Sequence, residues 1–161
     1  MSPLIELLVR LRALLQRVPD RVYTGRPVPA LSGSVGEHVR HCLDHVGVFA
    51  TARAARYISY DHRSRSTSEE TDRLAALRRI DTLLDELVTT TDDALARPLV
   101  VEALLHADGI PLMGESSLAR ELAFVVHHTI HHFAVIALLL DRQGVAVPAR
   151  FAHAPSTLKA A

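Results

Sequence analysis

The stretch from Ser117 to Gln143, SLARELAFVVHHTIHHFAVIALLLDRQ, carries an apolar side chain at nearly every third or fourth position. That spacing predicts one long amphipathic helix, which Ser116 or Ser117 caps at its start and Gly144 stops at its end. Four histidines lie near its middle, in the run His-His-Thr-Ile-His-His. The helix therefore combines a core-forming face with a cluster of imidazoles.

Three further helices are predicted before this one. Leucines at three- and four-residue spacing indicate a helix from Leu4 to Val18, which Pro19 ends. The capping box Ser34-x-x-Glu37 opens a second helix that runs to about Tyr57. Its buried side is Val35, Val39, Cys42, Val46 and Phe49. A third helix begins near Thr67 or Ser68, with the core stripe Leu74, Leu77, Ile80, Leu84 and Leu87.

The region before the last helix has a different pattern. A short apolar run begins at Pro98, and Asp108-Gly109 is a hairpin-type turn signal from which Ile110 to Met113 could return. We interpret this region as a short hairpin or irregular insert. The predicted fold class is therefore all-α, a four-helix bundle with that insert before its last helix, in a single domain over residues 1–161.

Composition excludes several classes of protein. Lys plus Arg and Asp plus Glu each number 18, so the net charge is zero, which argues against a nucleic-acid partner. The single Cys42 rules out an intramolecular disulfide and fits a reducing cytoplasm, where we expect the protein. The longest unbroken apolar run, Phe133 to Leu140, has eight residues against the roughly 20 that a membrane span needs, so we expect no membrane partner.

The histidines of the last helix divide into two pairs. Residues four apart on a helix lie about 40° apart and can face one metal ion. His128 and His132 fall at the edge of the apolar arc, whereas His127 and His131 fall on the polar side. The pair His128/His132 is therefore the inward one.

The second helix carries His38, His41 and His45 on the flank that faces this pair. The helical wheel places His38 and His45 nearer the core than His41 and leaves the choice among them open. Three neutral imidazoles are a known ligand set for zinc and leave the fourth position open, and nickel or iron also accepts imidazole. The alternative is that these histidines are only hydrogen-bonded residues at the edge of the core.

Several segments of the chain resemble the DinB/YfiT-like superfamily of metal-binding four-helix bundles. The segments are SVGEHVRH (34–41), RELAFVVHHTIHHFA (120–134), YDHRSR (60–65) and APSTL (154–158). The resemblance implies one ligand at His41 and a His-x-x-x-His pair at His128 and His132. His38 and His45 remain substitutes for His41, because the helical wheel places them nearer the core. The extra His38, His127 and His131 leave a four-ligand site open.

The same resemblance implies a metal-dependent hydrolase or thiol S-transferase. Its cofactor would be a divalent ion, zinc or nickel, and its partners a small-molecule substrate and a low-molecular-weight thiol. Glu121 or Asp44 could orient a ligating imidazole, or be an ordinary helix-capping or surface carboxylate. Arg63 and Arg65 could hold a carboxylate-bearing substrate, or lie in a solvated loop at the end of the second helix.

A second hypothesis is a non-catalytic metal-binding or structural bundle that dimerises. It rests on Val135 to Leu140, which is apolar almost all round, so that this end of the helix must be buried in the fold or at an interface. We expect a homodimer under either hypothesis.

Overall fold

Helices form most of the fold in the computed structural model, which describes residues 3–28, 33–61, 67–88, 95–106, 108–154 and 157. The helices in these ranges are α1 (Pro3–Leu15), α2 (Asp20–Tyr23), α3 (Val35–Ala55), α4 (Arg73–Val88) and α5 (Leu118–Asp141), with a 3₁₀ turn at Ser68–Glu70. The strands are β1 (Tyr57–Ser59), β2 (Pro98–Leu104) and β3 (Pro111–Ser117). The four long helices of the predicted bundle are α1, α3, α4 and α5.

Helix α3 begins at the predicted capping box. The Ser34 hydroxyl accepts a hydrogen bond from the backbone N–H of Glu37 at 3.2 Å, and the Glu37 carboxylate accepts one from the N–H of Ser34 at 2.6 Å. Both bonds satisfy N–H groups that have no partner inside the helix. The helix ends before Arg56, which takes the left-handed conformation with φ 53° and turns the chain into β1.

The core lies between α1, α3, α4 and α5. The buried side predicted for α3 is confirmed, since all five of its residues are buried. The stripe predicted for α4 is partly wrong, because Leu74 is 53% exposed and Leu83 is fully buried. The buried line runs through Ala76, Ile80, Leu83 and Leu87 at three- and four-residue spacing, which turns Leu74 away from the core.

The predicted hairpin is present as β2 and β3, which pair antiparallel with Val101 opposite Gly114. A third strand was not predicted. Strand β1 pairs parallel to β2, with Tyr57 opposite Val100, and gives the strand order β1-β2-β3. The strictly all-α prediction is therefore corrected to a mostly helical fold with a small sheet. Three residues are too few to show a strand period, and the partner strand lies some forty residues further on.

Helix α5 is long and apolar enough, by length and composition, to cross a membrane. Within this fold it packs against α3 and contributes ten buried residues, from Leu118 to Leu140. The buried apolar side chains of α5 therefore contribute to the core, as those of a central bundle helix do.

Gly36→Ala is expected to destabilise the protein, although alanine is ordinarily the better helix former. A Cβ at this position would overlap the backbone oxygen of Glu70 and lie 2.7 Å from the Tyr23 ring, so α3 and the 3₁₀ turn would have to separate. We expect a loss of about 1–3 kcal/mol in urea unfolding. The control is Gly114→Ala, which meets nothing within 4 Å and should change stability by less than about 0.5 kcal/mol. Equal stabilities for the two variants would show that this close approach does not constrain the fold.

Candidate metal centre

Three histidines converge where α3 packs against α5. His41, His45 and His128 each offer a ring nitrogen, and these three nitrogens lie within 4.8 Å of one another. The Nε2 atoms of His41 and His128 are 2.8 Å apart. His41 and His45 lie one turn apart on α3, so both imidazoles face the same point on α5.

His45 is the most enclosed member of this group, with 4% of its surface exposed. Its Nδ1 lies 2.9 Å from the backbone oxygen of His41. Because a carbonyl oxygen can only accept, Nδ1 carries the proton and Nε2 has the lone pair that a metal needs. A second ring nitrogen fixed in this way is typical of metal-binding histidines.

His132 and His38 adjoin the group on one side. The His132 ring centroid is 4.5 Å from that of His41 and 4.6 Å from that of His128. The Nδ1 of His132 lies 3.0 Å from the Nδ1 of His38. Burial, followed by the positive charge that neighbouring imidazoles would carry, lowers the pKa of His132 to about 3, so this imidazole stays neutral well below pH 6.5.

Two of the three predicted ligands, His41 and His128, belong to the group of converging nitrogens. The structure brings His41 and His128 together, and it exposes His127 and His131 on the outside of α5, as the helical wheel predicted. His132 is half-buried beside them, but the group of nitrogens within 4.8 Å contains the substitute His45 in its place. The signal for His45 was present in the sequence, because His41-x-x-x-His45 repeats the spacing of His128-x-x-x-His132.

Among the described residues, neither Cys42 nor Asp44 belongs to the group of converging ligand atoms. Cys42 is fully buried, and burial raises the pKa of its thiol, so it packs as a small apolar residue. Asp44 forms an ion pair with Arg40 at 2.5 Å. Arg63 and Arg65 lie outside the described residues.

Glu121 is 6% exposed and accepts hydrogen bonds from two hydroxyl groups. Tyr60 donates to it at 3.0 Å and Ser116 at 2.6 Å. The Tyr60 ring lies parallel to the His45 ring, with centroids 5.2 Å apart. Glu121 is a residue that the sequence indicated, whereas Tyr60, which connects its carboxylate to the His45 imidazole, was not predicted.

A cavity of about 270 Å³ opens over one side of the cluster. Its lining residues are Arg26, Gly33, Glu37, His38, Arg40, His41 and His132. A larger cavity, about 540 Å³, lies between α1 and residues 148–151 and is lined by none of the clustered histidines. The smaller cavity is the one that adjoins the histidine cluster, through His38, His41 and His132.

The residues present fit a divalent metal ion. The donors are imidazoles alone, and three of them suit zinc, nickel or iron. The cavity beside His41 leaves space for a further ligand. The three histidines could therefore hold an ion and leave one coordination position open.

The stability of the metal-free protein is expected to fall as pH decreases from about 6.5 towards 3. Because the pKa of His132 is about 3 in the folded chain and 6.5 in the ordinary imidazole, the unfolded chain binds a proton first and is favoured across this window. The measurement is urea unfolding between pH 7 and pH 4. In His132→Gln the free energy of unfolding should vary less with pH than in wild type. Identical slopes would show that His132 is not buried as a neutral group.

Comparisons with known proteins agree with this architecture. The family model of the DinB superfamily matches residues 4–136. The solved structure of the DinB-like protein YjoA from Bacillus subtilis matches with a TM-score of 0.64 and 19% identity, over 88% of this chain and 89% of that one.

A relative in sequence is the FK506-binding protein 5 of Rhizopus delemar, 34% identical over 113 residues. That match covers 70% of this chain but 29% of the relative, so this chain corresponds to less than a third of that protein's length. The family model spans most of the chain and the structural match has the same fold. This chain therefore belongs to the DinB superfamily.

Proposed function

We propose that this protein binds one divalent metal ion, zinc or nickel, through His41, His45 and His128, and uses it as a hydrolase or a thiol S-transferase. The observation that carries the proposal is the convergence of three ring nitrogens within 4.8 Å between α3 and α5. His132, a ligand that the family resemblance implied, would lie beside the ion in this arrangement, and it lines the adjoining cavity.

The surroundings of the cluster support a reaction on a small molecule. A bound metal ion with an open position would lower the pKa of a water or thiol and polarise a substrate oxygen. The adjoining cavity of about 270 Å³ is close to the lower end of the range for small-molecule sites. The His38/His132 pair lies on its wall. We place this chemistry in the reducing cytoplasm, where thiols persist.

The experiment begins with protein purified without a histidine tag. Elemental analysis should find about one zinc or nickel ion per chain. The loaded protein is then assayed with low-molecular-weight thiols plus electrophiles, and with ester and amide substrates. Turnover that a chelator abolishes and added metal restores would support the enzyme. Bound metal without turnover across these substrates would favour a non-catalytic role.

A structural, dimerising module is the second candidate, and the hairpin provides its support. Three neighbouring apolar side chains of the hairpin are exposed, namely Ile110 at 71%, Leu112 at 58% and Met113 at 53%. The segment Val135–Leu140, which first suggested an interface, is mostly packed into the core, with Leu138 exposed at 42%. The hairpin is therefore the better candidate for a contact between copies.

We expect a homodimer in solution. Light scattering at micromolar concentration should give about twice the chain mass of 17.7 kDa. Leu112→Lys, which places a charge on the exposed hairpin, should shift the mass towards the monomer. A wild-type mass of one chain at all concentrations would contradict the dimer.

A further inference from the structure

Tyr60 joins the small sheet to the histidine cluster. It directly follows β1, is 8% exposed, and stacks on His45 with an interplanar angle of 9°. The backbone bond at Nδ1 fixes one edge of the His45 imidazole. The parallel Tyr60 ring covers one of its faces and so limits rotation of the imidazole plane.

The Tyr60 ring is itself held by a buried carboxylate. Its hydroxyl donates to one oxygen of Glu121, and the other oxygen of Glu121 accepts from Ser116 in β3. A buried carboxylate that loses a hydrogen-bond donor is costly, which favours one arrangement of these three side chains. Burial and the nearby Glu121 raise the pKa of Tyr60, so its hydroxyl remains protonated and continues to donate.

Phe124 extends this support to a second imidazole. Its ring lies 5.0 Å from that of Tyr60 and 5.6 Å from that of His128, nearly parallel to the latter at 20°. The Tyr60 and Phe124 rings thus pack against the His45 imidazole of α3 and the His128 imidazole of α5. Because aromatic rings prefer such offset-stacked and tilted arrangements, these contacts favour one orientation of the ring planes.

We propose that Tyr60 is a positioning residue of the metal centre: Glu121 and Ser116 hold its ring against His45, and this contact presents the His45 Nε2 to the ion. The role of the ion rests on the function proposed above. The small sheet would then help to position His45, since β1 leads into Tyr60 and β3 contains Ser116.

The test compares two tyrosine variants from neighbouring positions. Tyr60→Phe keeps the ring but removes the hydroxyl that Glu121 accepts. Tyr57→Phe is the matched control, because Tyr57 lies in β1 and is 40% exposed. Co²⁺ is the probe, since its visible absorption reports the geometry of its ligands. We expect Tyr60→Phe to weaken Co²⁺ binding about 10–100-fold, which is the usual effect of removing a residue that orients a metal ligand. The absorption bands of the bound Co²⁺ should change as well.

Ser116→Ala removes the other donor to Glu121 and provides a second variant if Tyr60→Phe fails to fold. It should weaken Co²⁺ binding in the same direction by a smaller factor. Tyr57→Phe should match wild type within twofold. Co²⁺ affinity and spectrum unchanged in both Tyr60→Phe and Ser116→Ala would overturn the positioning role.

A metal-free measurement separates this inference from the proposed function. The ring ¹⁵N resonances of His45 should shift or broaden in metal-free Tyr60→Phe, as the imidazole loses its single orientation, and should be unchanged in Tyr57→Phe. Unchanged His45 resonances in Tyr60→Phe overturn the positioning role whatever the protein binds. Failure of wild type to bind Co²⁺, with those resonances altered, overturns the proposed function and leaves the support of His45 by Tyr60 established.

Discussion

His128→Ala is expected to empty the metal site while the bundle stays folded. His128 is the α5 residue among the three whose ring nitrogens lie within 4.8 Å, so its removal leaves two ligands, both on α3. The loss of affinity should exceed the ~10–100-fold that removal of a supporting residue costs. Calorimetric titration with Zn²⁺ and elemental analysis of the purified variant measure it.

His127→Ala is the matched control, because it removes an imidazole one position earlier on the same helix. His127 is exposed, and exposed substitutions usually change stability by less than about 0.5 kcal/mol. Metal content should equal that of wild type. If His127→Ala emptied the site and His128→Ala did not, the assigned faces of α5 would be wrong.

Three further variants test the ligand set, and two of them, His45→Ala and His132→Ala, decide which residue is the third ligand. The structure favours His45, which offers a ring nitrogen within 4.8 Å of those of His41 and His128, whereas the Nδ1 of His132 lies 3.0 Å from the Nδ1 of His38. We therefore expect His41→Ala and His45→Ala to resemble His128→Ala, and His132→Ala to retain a metal ion with reduced affinity. The reverse result for His45 and His132 would support the ligand set that the family resemblance implied. Unchanged metal content in all four variants would mean that the cluster is structural.

The long helices could be predicted because their signals are local. The capping box at Ser34 and the three- and four-residue spacing of apolar side chains each act within one or two turns. Strand β1 could not be predicted, since Tyr57–Ser59 gains its hydrogen bonds from Val100–Glu102, far along the chain. The exposure of Leu74 was missed because α4 has apolar side chains over a wide arc.

For the candidate site, the sequence predicted which faces of α3 and α5 carry the inward histidines, but not which of their nitrogens converge. The helical wheel separated His128 from His127 because burial follows helical angle. It also placed His45 nearer the core than His41, in agreement with the 4% exposure of His45. Which nitrogens converge depends on how α3 lies against α5 and on ring orientation, which no single-helix pattern contains. The contact of Tyr60 with His45 depends further on the sheet, so it could not be predicted before β1 was known.

Phe133→Ala is expected to cause one of the largest losses of stability on α5. The Phe133 side chain is fully buried on the face of α5 that points away from solvent. Its ring stacks on that of Phe151, with centroids 4.4 Å apart and an interplanar angle of 9°. Truncating a buried phenylalanine removes apolar contact and leaves a cavity, at a cost of about 3–5 kcal/mol. That cost is a large share of the ~5–15 kcal/mol that stabilises an ordinary domain.

Urea unfolding of the metal-free protein measures this loss without any contribution from a bound ion. Leu138→Ala is the control on the same helix, because Leu138 is 42% exposed, and it should lose far less stability than Phe133→Ala. Phe151→Ala completes a double-mutant cycle that should return a coupling of about 0.5–1.5 kcal/mol for the stacked pair. A coupling near zero would show that Phe133 is stabilised by the rest of the core rather than by residue 151, and that the segment after α5 packs against the bundle without stabilising it.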